Sequence, residues 1–376
     1  MRGRIVFNGN IRGHAEFLDR VRPLVLGAAQ GRPPKVLLVT AAWGRGEYDE
    51  APIRAALNAI GVPSDWQGGV DRNVSNLCAW HVWQSYLKAR PAVAAVDAEL
   101  RDVEEATRAF YVEKTSFHAD RVRRAVRFAR ARIPGFQLGK LPLVDRDSLR
   151  PESSLSGEAL LARALARELV HDLADLVQND ARMLDALEEA EEMLPARTGL
   201  RFDPLWREER AKLEARILEA DAIVIPGGEP ADLLAPLRFF DLRPALRETL
   251  RRGASFFTVS AGSLVMCERM IVYDDYSSDP ARREFRLWDR GLGLVGGLQV
   301  LPHCMDRIHT DDPDNLAYLS RRFASHLCVG LNEESFLLVE PGTPRAVSVG
   351  EHDGVYVFGP DGVKWKYHRG ETIPMG

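Results

Sequence analysis

Over the first sixty residues the apolar and polar positions predict strand, helix, strand, helix. The apolar run RIVFNG is followed by AEFLDRVRPLVLGAA, whose apolar residues recur at helical spacing, then by KVLLVTAA and EAPIRAALNAIG. From Asp221 the same rhythm returns, with DAIVIPGG, the helical RPALRETLRRG, the strand ASFFTVS and the shorter runs LQVLP, HLCVGL, SFLLVE and VYVFGPDG. Short continuous apolar runs bounded by glycine and proline suit strands buried on both faces. The expected class is therefore α/β, a mostly parallel sheet with helices on both faces, and the two stretches are expected to be halves of one sheet.

Between about Asn73 and Leu218 the pattern changes to long helices with few β-branched runs, which is too long for a loop in a compact domain. The expected organisation is an α/β domain of residues 1–72 and 219–376 with an inserted helical subdomain, 73–218. In the insertion Leu161, Leu165, Leu169, Leu173, Leu176, Met183 and Leu187 mark one apolar stripe that must pack on something. Residues 121–132 hold six arginines and no acid, while 151–195 hold eleven acids and three arginines, so the two segments are expected to face each other as antiparallel helices. Capping the site, forming a homodimer interface and binding a partner are the uses open to this insertion. Trp66, Trp80, Trp83, Tyr86, Phe110 and Tyr111 near its start read as core.

Composition narrows the function. The chain has 376 residues, 45% of them apolar, and a formal charge of -4, which offers no global attraction to nucleic acid or to a membrane surface. A small peptide or other small molecule is the expected partner. The four cysteines (Cys78, Cys267, Cys304, Cys328) are scattered and include no C-x-x-C pair, as expected of reduced thiols. The start MRGRIVFNGN has no apolar segment behind its basic residues, and no run reaches the roughly 18 apolar residues that span a bilayer, so a cytoplasmic location is expected. No His and acid cluster has metal-ligand spacing of the H-E-x-x-H kind, and neither metal nor cofactor is expected.

The strongest constellation is ASFFTVSAGS, an apolar strand ending at Ser260 and followed by small residues that open a helix. This is the pattern of a nucleophile elbow, in which a sharp turn lifts a serine hydroxyl above the sheet edge. The helix start aims free amides at that hydroxyl, and Ala261 N–H is the natural first oxyanion donor. A second donor is expected from DAIVIPGGEP, with Gly228 as the candidate and Gly227 and Glu229 beside it. Either motif alone is an ordinary turn. Among nine histidines His303 stands out, because it follows LQVLP at a strand end where ligands collect in open α/β sheets, with His309 close enough to compete. Two places offer the carboxylate that would orient it, Glu333 in LNEES and Asp275 in YDDY, with Glu334, Asp274 and Asp306 as neighbours.

With these residues in order, the chain resembles the dipeptidase E and cyanophycinase group of serine peptidases, related in fold to class I glutamine amidotransferases. The resemblance covers roughly residues 1–70 and 220–360. It rests on V-T-A-A, P-G-G-E, V-S-A-G-S, G-L-G-L-V, L-P-H-C and G-L-N-E, in that order. It implies a Ser260, His303, Glu333 triad, with Gly228 and Ala261 as the oxyanion amides and Asp275 as a supporting or substrate-side group. Arg307, four residues after His303, matches an arginine of cyanophycinase-like sequences and is suited to gripping a carboxylate. Three positions depart from the family. Thr258 replaces a glycine two residues before the serine and is expected to add strain. Glu229 replaces Asn or Asp, and DNLAYLSRR stands where dipeptidase E has aspartate-gripping arginines. The implied activity is hydrolysis of a peptide or β-aspartyl amide. The alternatives are a serine hydrolase of another amide or ester, and a silent binding module on the same fold. Glutamine amidotransfer is not expected, since that chemistry uses a cysteine at the elbow and Cys267 lies seven residues further on.

Overall fold

A computed structural model describes residues 3–11, 13–29, 31–64, 66–67, 70–71, 73–141, 157–273, 285–332, 335–343, 345–350 and 354–375. The chain opens with β1 (Arg4–Asn8), α1 (His14–Leu26), β2 (Val36–Leu38) and α2 (Ala51–Ala59). A short hairpin, β3 (Trp66–Gln67) with β4 (Val70–Asp71), precedes β5 (Val74–Asn76) and α3 (Ala79–Ala89). Two helices of 42 residues each, α4 (Pro91–Arg132) and α5 (Gly157–Thr198), follow, and α6 (Pro204–Glu219) leads back to β6 (Ala222–Ile225). Next come α7 (Pro230–Phe239), α8 (Arg243–Arg251), β7 (Ser255–Val259), α9 (Ala261–Met266) and the hairpin of β8 (Arg269–Tyr273) with β9 (Phe285–Arg290). The last part holds β10 (Leu298–Pro302), α10 (Cys304–Arg307), α11 (Pro313–Arg322), β11 (Leu327–Leu331) and β12 (Phe336–Val339). It ends with β13 (Arg345–Ser348), β14 (Val355–Phe358), β15 (Lys364–Tyr367) and β16 (Thr372–Pro374).

The expected α/β class is what forms. Eight strands make one sheet in the order β16-β13-β12-β1-β7-β6-β2-β5. Its β1-β7-β6-β2-β5 part is parallel, and β12, β13 and β16 are added antiparallel. Strands from both ends of the sequence interleave here. One expectation is corrected: LQVLP, HLCVGL and VYVF do not join this sheet but form a second one, β10-β11-β14-β15. An apolar run records burial on both faces and not which strand it pairs with, so sequence pattern alone merges the two.

Alternate side chains of the large sheet feed two cores. On one face Val6, Leu38, Val224 and Phe257 pack against Phe17, Leu18 and Val21 of α1 and Ile53 and Leu57 of α2. On the other, Ile5, Phe7, Leu37, Ile223 and Phe256 pack against α3, α6, α7, α8 and α9. Parts of the expected insertion belong to this second core, because Leu77, Trp83, Tyr86, Trp206, Leu213 and Ile217 lie within it. The excursion proper is α4 with α5.

Those two helices run antiparallel, as pairs at three levels show: Glu99 with Arg197 at 2.7 Å, Thr115 with Asn179 at 2.7 Å and Arg121 with Asp172 at 2.6 Å. The arginine run thus meets the acidic helix in part, while Arg130 turns to Asp312 and Asp314 beside α11. The pair is tied down in two further places. Asp289 on β9, almost wholly buried, takes Arg108 of α4 at 2.8 Å and Arg238 of α7 at 3.1 Å. Asp180 of α5 holds the buried Arg322 of α11 through two contacts of 2.8 Å. Removing one partner from such a buried pair strands a charge, so these links resist displacement of the helices. Among the described residues no helix is long and apolar enough to cross a membrane.

Asp203 anchors the return from the excursion. Its carboxylate accepts from Leu205 N at the start of α6, from Tyr86 Oη at 3.0 Å and from Arg90 Nε at 2.6 Å. The Arg90 hydrogen bond, with the capping amide and Tyr86, pulls its pKa from 3.8 to about 2. A depressed folded pKa means stability that is present above the unfolded value near 4 and lost as pH falls toward 2. Asp203→Asn keeps a capping oxygen but removes the charge. It is expected to lose about 1 kcal/mol at neutral pH, once solvent screening at Arg90 is allowed for, and almost nothing once the pH falls below the folded pKa of about 2. Urea melts of both proteins across that range check this.

Candidate active site

The parallel strands β7, β6 and β2 end side by side, and the loops that follow them build the site. After the fully buried β7, Ser260 takes φ 47° and ψ -108°, a conformation side chains rarely adopt, and α9 starts at the next residue. This is the sharp strand-to-helix turn expected of an elbow. The turn is closed by Leu264 N donating to Ser260 O at 3.0 Å, and Ser260 N donates to Asn8 O of β1, also at 3.0 Å. Gly262 is required by close approach, since a Cβ there would lie 2.4 Å from the carbonyl oxygen of Ile225.

The strain expected at Thr258 is absent. Thr258 is an ordinary buried strand residue whose hydroxyl donates to Val6 O at 3.1 Å and meets Ser263 Oγ at 3.0 Å. Ser263 Oγ in turn donates to Asn8 O at 2.9 Å. The Thr258 hydroxyl thus satisfies buried groups beneath the elbow, and the unusual dihedral falls on Ser260 itself.

His303 lies on the other sheet, directly after β10, with φ 53° at the start of α10. Its Nε2 is 3.1 Å from Ser260 Oγ, and both residues are half-buried. At that distance an unprotonated Nε2 accepts the serine proton. His309, the competing histidine, is exposed, and it is His303 that reaches the serine. Strands β10 and β11 are parallel, with Pro302 opposite Leu331, so the residues after each strand emerge together. Asn332 uses this adjacency: its Oδ1 accepts from Met305 N at 2.9 Å and from the Cys304 thiol at 3.1 Å, pinning the turn that carries His303. The two sheets are joined close by. Leu292 N, Gly293 N and Leu294 N, just before β10, donate to Val265 O, Cys267 O and Met266 O at the end of α9.

The glycine loop faces Ser260 from the β6 side. The point where a Gly227 side chain would begin is 3.2 Å from Ser260 Cβ, and Gly228 has φ 144°, reserved in practice for glycine. Two ties hold it against the loop after β2: Trp43 Nε1 donates to Gly227 O at 2.9 Å, and Glu229 N donates to Ala42 O at 2.8 Å. In a trans peptide the amide opposes the carbonyl, so clamping Gly227 O toward Trp43 turns Gly228 N–H the other way. Trp43 and Asn332 escaped the sequence reading. A lone aromatic or amide in a loop has no periodicity to mark it, although Trp43 directly follows the V-T-A-A motif already singled out. Trp43→Phe keeps the ring and deletes the N–H. It is expected to lower kcat about tenfold with KM little changed, because one hydrogen bond orienting the loop is lost; steady-state kinetics on a cleaved peptide will show it.

Ala261 opens α9, so its amide has no acceptor within the helix. Glu229 caps α7, accepting from Ala231 N at 3.4 Å. Arg307 sits one turn beyond His303, its N–H donating to His303 O at 3.0 Å. Asp306 lies beside it in α10. Glu333, Glu334, Asp274 and Asp275 lie outside the described residues. Cys267 is fully buried at the end of α9, and burial pushes its thiol up to about 12, so it is no rival nucleophile. The four cysteines are free thiols.

The pyridoxal 5'-phosphate synthase subunit PdxT of Kosmotoga olearia is 26% identical over 73 residues, 19% of this chain. The match spans about a third, 36%, of that protein's length. A peptidase from an acI-B1 Actinobacterium aligns in structure over 100% of this chain and 97% of its own, at 14% identity and a TM-score of 0.44. The sequence profile of Peptidase family S51 matches residues 185–347, a stretch that contains Gly227, Gly228, Ser260 and His303. The mixed α/β sheet is consistent with the amidotransferase-like fold expected for that group. Over this segment the chain is similar to peptidase family S51, the serine-type peptidases of the dipeptidase E and cyanophycinase kind.

Proposed function

We propose that the chain hydrolyses a peptide bond or a β-aspartyl amide in a small peptide, as a dipeptidase or isopeptidase working through an acyl-enzyme. The observation that carries this reading is the 3.1 Å approach of His303 Nε2 to the hydroxyl of a serine held at φ 47°. Ser260 Oγ attacks the carbonyl carbon and His303 takes its proton. The oxygen that becomes negative meets the amides of Ala261 and Gly228, one from each flanking loop. His303 then gives the proton to the departing amine. Water attacks the resulting ester, its proton passing to His303 and on to the restored serine hydroxyl.

Glu333 is assigned as the acid that orients His303. What supports this is its position one residue after Asn332, whose side chain is tied to the His303 turn. Arg307, one turn from His303, is assigned to a substrate carboxylate, with Asp275 as a supporting group. Gly227 and Glu229 shape the oxyanion loop. The test combines fluorophosphonate labelling, with the modified residue mapped by mass spectrometry, and a peptide-library digest that includes β-aspartyl and N-terminal aspartyl dipeptides. Label on Ser260 and cleavage of short peptides are expected. An unlabelled, inactive protein overturns the reading, and turnover of esters or other amides alone keeps the machinery but replaces the substrate.

A further inference from the structure

Helix α4 packs one side against α5 and turns the other to solvent. On the solvent side Val103, Phe110, Phe117 and Phe128 are 46%, 58%, 62% and 49% exposed. Intervals of seven, seven and eleven residues keep these four on one stripe of the helix, about 38 Å long at 1.5 Å per residue. A row of large apolar side chains along one exposed helix marks an interaction surface, unlike single apolar residues scattered over a protein.

Charge along the same helix indicates what covers the stripe. Residues 97–105 hold five acids and one arginine, and residues 121–132 hold six arginines and no acid. Several of these are engaged within the chain, Glu99 with Arg197, Arg121 with Asp172, and Arg130 with Asp312 and Asp314. Asp102, Glu105, Arg124 and Arg127 are exposed and enter no ion pair among the described residues. A helix acidic at one end and basic at the other, with an apolar middle, complements a reversed copy of itself. We infer that α4 is a homodimer interface in which two copies pair their α4 helices antiparallel, about a two-fold axis lying between Phe110 and Phe117. That register sets Phe110 level with the partner's Phe117 and Asp102 within one residue of the partner's Arg124, and the symmetry makes each match occur twice. A parallel pair would set acid on acid and arginine on arginine, so charge selects the antiparallel arrangement. Nucleic acid fits less well, because the acidic half of the same helix would repel it.

Sedimentation of the full chain at micromolar concentration, with thermal melts as a control for folding, tests this. The wild type is expected to be a dimer, and Phe110→Glu with Phe117→Glu to weaken it about 100-fold while the chain still melts cooperatively, since the stripe is solvent-exposed in one copy. Arg124→Asp should weaken association a few-fold, and Asp102→Arg added to it should restore the dimer. Phe110→Cys and Phe117→Cys chains, mixed and oxidised, should cross-link to each other. A wild type that stays monomeric, a dimer indifferent to the double glutamate change, or a monomer that instead binds heparin through the arginine run overturns the inference.

Discussion

Ser260→Ala is expected to lower kcat/KM by about ten-thousandfold or more, and His303→Ala to cost a similar factor. Their combination is expected to be scarcely worse than either alone. The reason lies in the geometry: the two groups touch at 3.1 Å and act on one proton, so losing either removes the same event. A serine hydroxyl without its base is a poor nucleophile at neutral pH, and an imidazole without the serine has nothing to deprotonate except water. What survives is the contribution of binding and of the oxyanion amides, which neither substitution touches. Steady-state kinetics of the two single variants and the double variant measure this. Effects that multiply, or a Ser260→Ala enzyme that still turns over, would show that serine and histidine do not act as one unit.

Gly228→Ala tests the other half of the site. A methyl group at Gly228 would start 2.5 Å from the carbonyl oxygen of Ala42, on backbone held at φ 144°, so the loop must move. Trp43 and Ala42 hold the loop on both sides of that residue, which leaves displacement of the Gly228 amide as the outlet. Loss of one well-placed oxyanion donor is expected to lower kcat by about 100-fold to 1,000-fold while KM shifts little, because the developing charge is greatest in the transition state. Fluorophosphonate labelling should slow in parallel, and the circular dichroism spectrum should be unchanged. A kcat within a few-fold of wild type would rule Gly228 out as a donor. Gly262→Ala, 2.4 Å from Ile225 O, is expected to act on folding instead, since it lies buried beneath the elbow.

The strands of the site could be read from the chain because each is a compact apolar run that a turn-forming residue, proline or serine, brings to an end; DAIVI, ASFFTV and LQVLP became β6, β7 and β10. Ser260 and Gly228 were legible for a similar reason, as tight turns restrict which residues may follow. The assignment of β10, β11 and β14 to a second sheet was not legible, since pairing depends on distant partners that leave no local pattern. Thr258 shows a subtler limit. A threonine where glycine is usual suggests crowding, yet the hydroxyl contacts with Val6 O and Ser263 that absorb it come from residues 252 positions upstream and five downstream. Trp43 was silent because its role is one hydrogen bond to a carbonyl 184 residues away.

Ser260 follows a strand of one sheet and His303 a strand of the other, and residues 292–294, which lead into β10, are hydrogen-bonded to the end of the helix that Ser260 opens. The distance between Ser260 Oγ and His303 Nε2 therefore depends on how the two sheets pack against each other across the core they share. A substitution at that seam can separate them by an ångström while each sheet keeps its own hydrogen bonds. Such a protein would look native by secondary-structure spectroscopy and be inert, so a screen for the proposed activity must read turnover or labelling, with folded content alone an insufficient proxy.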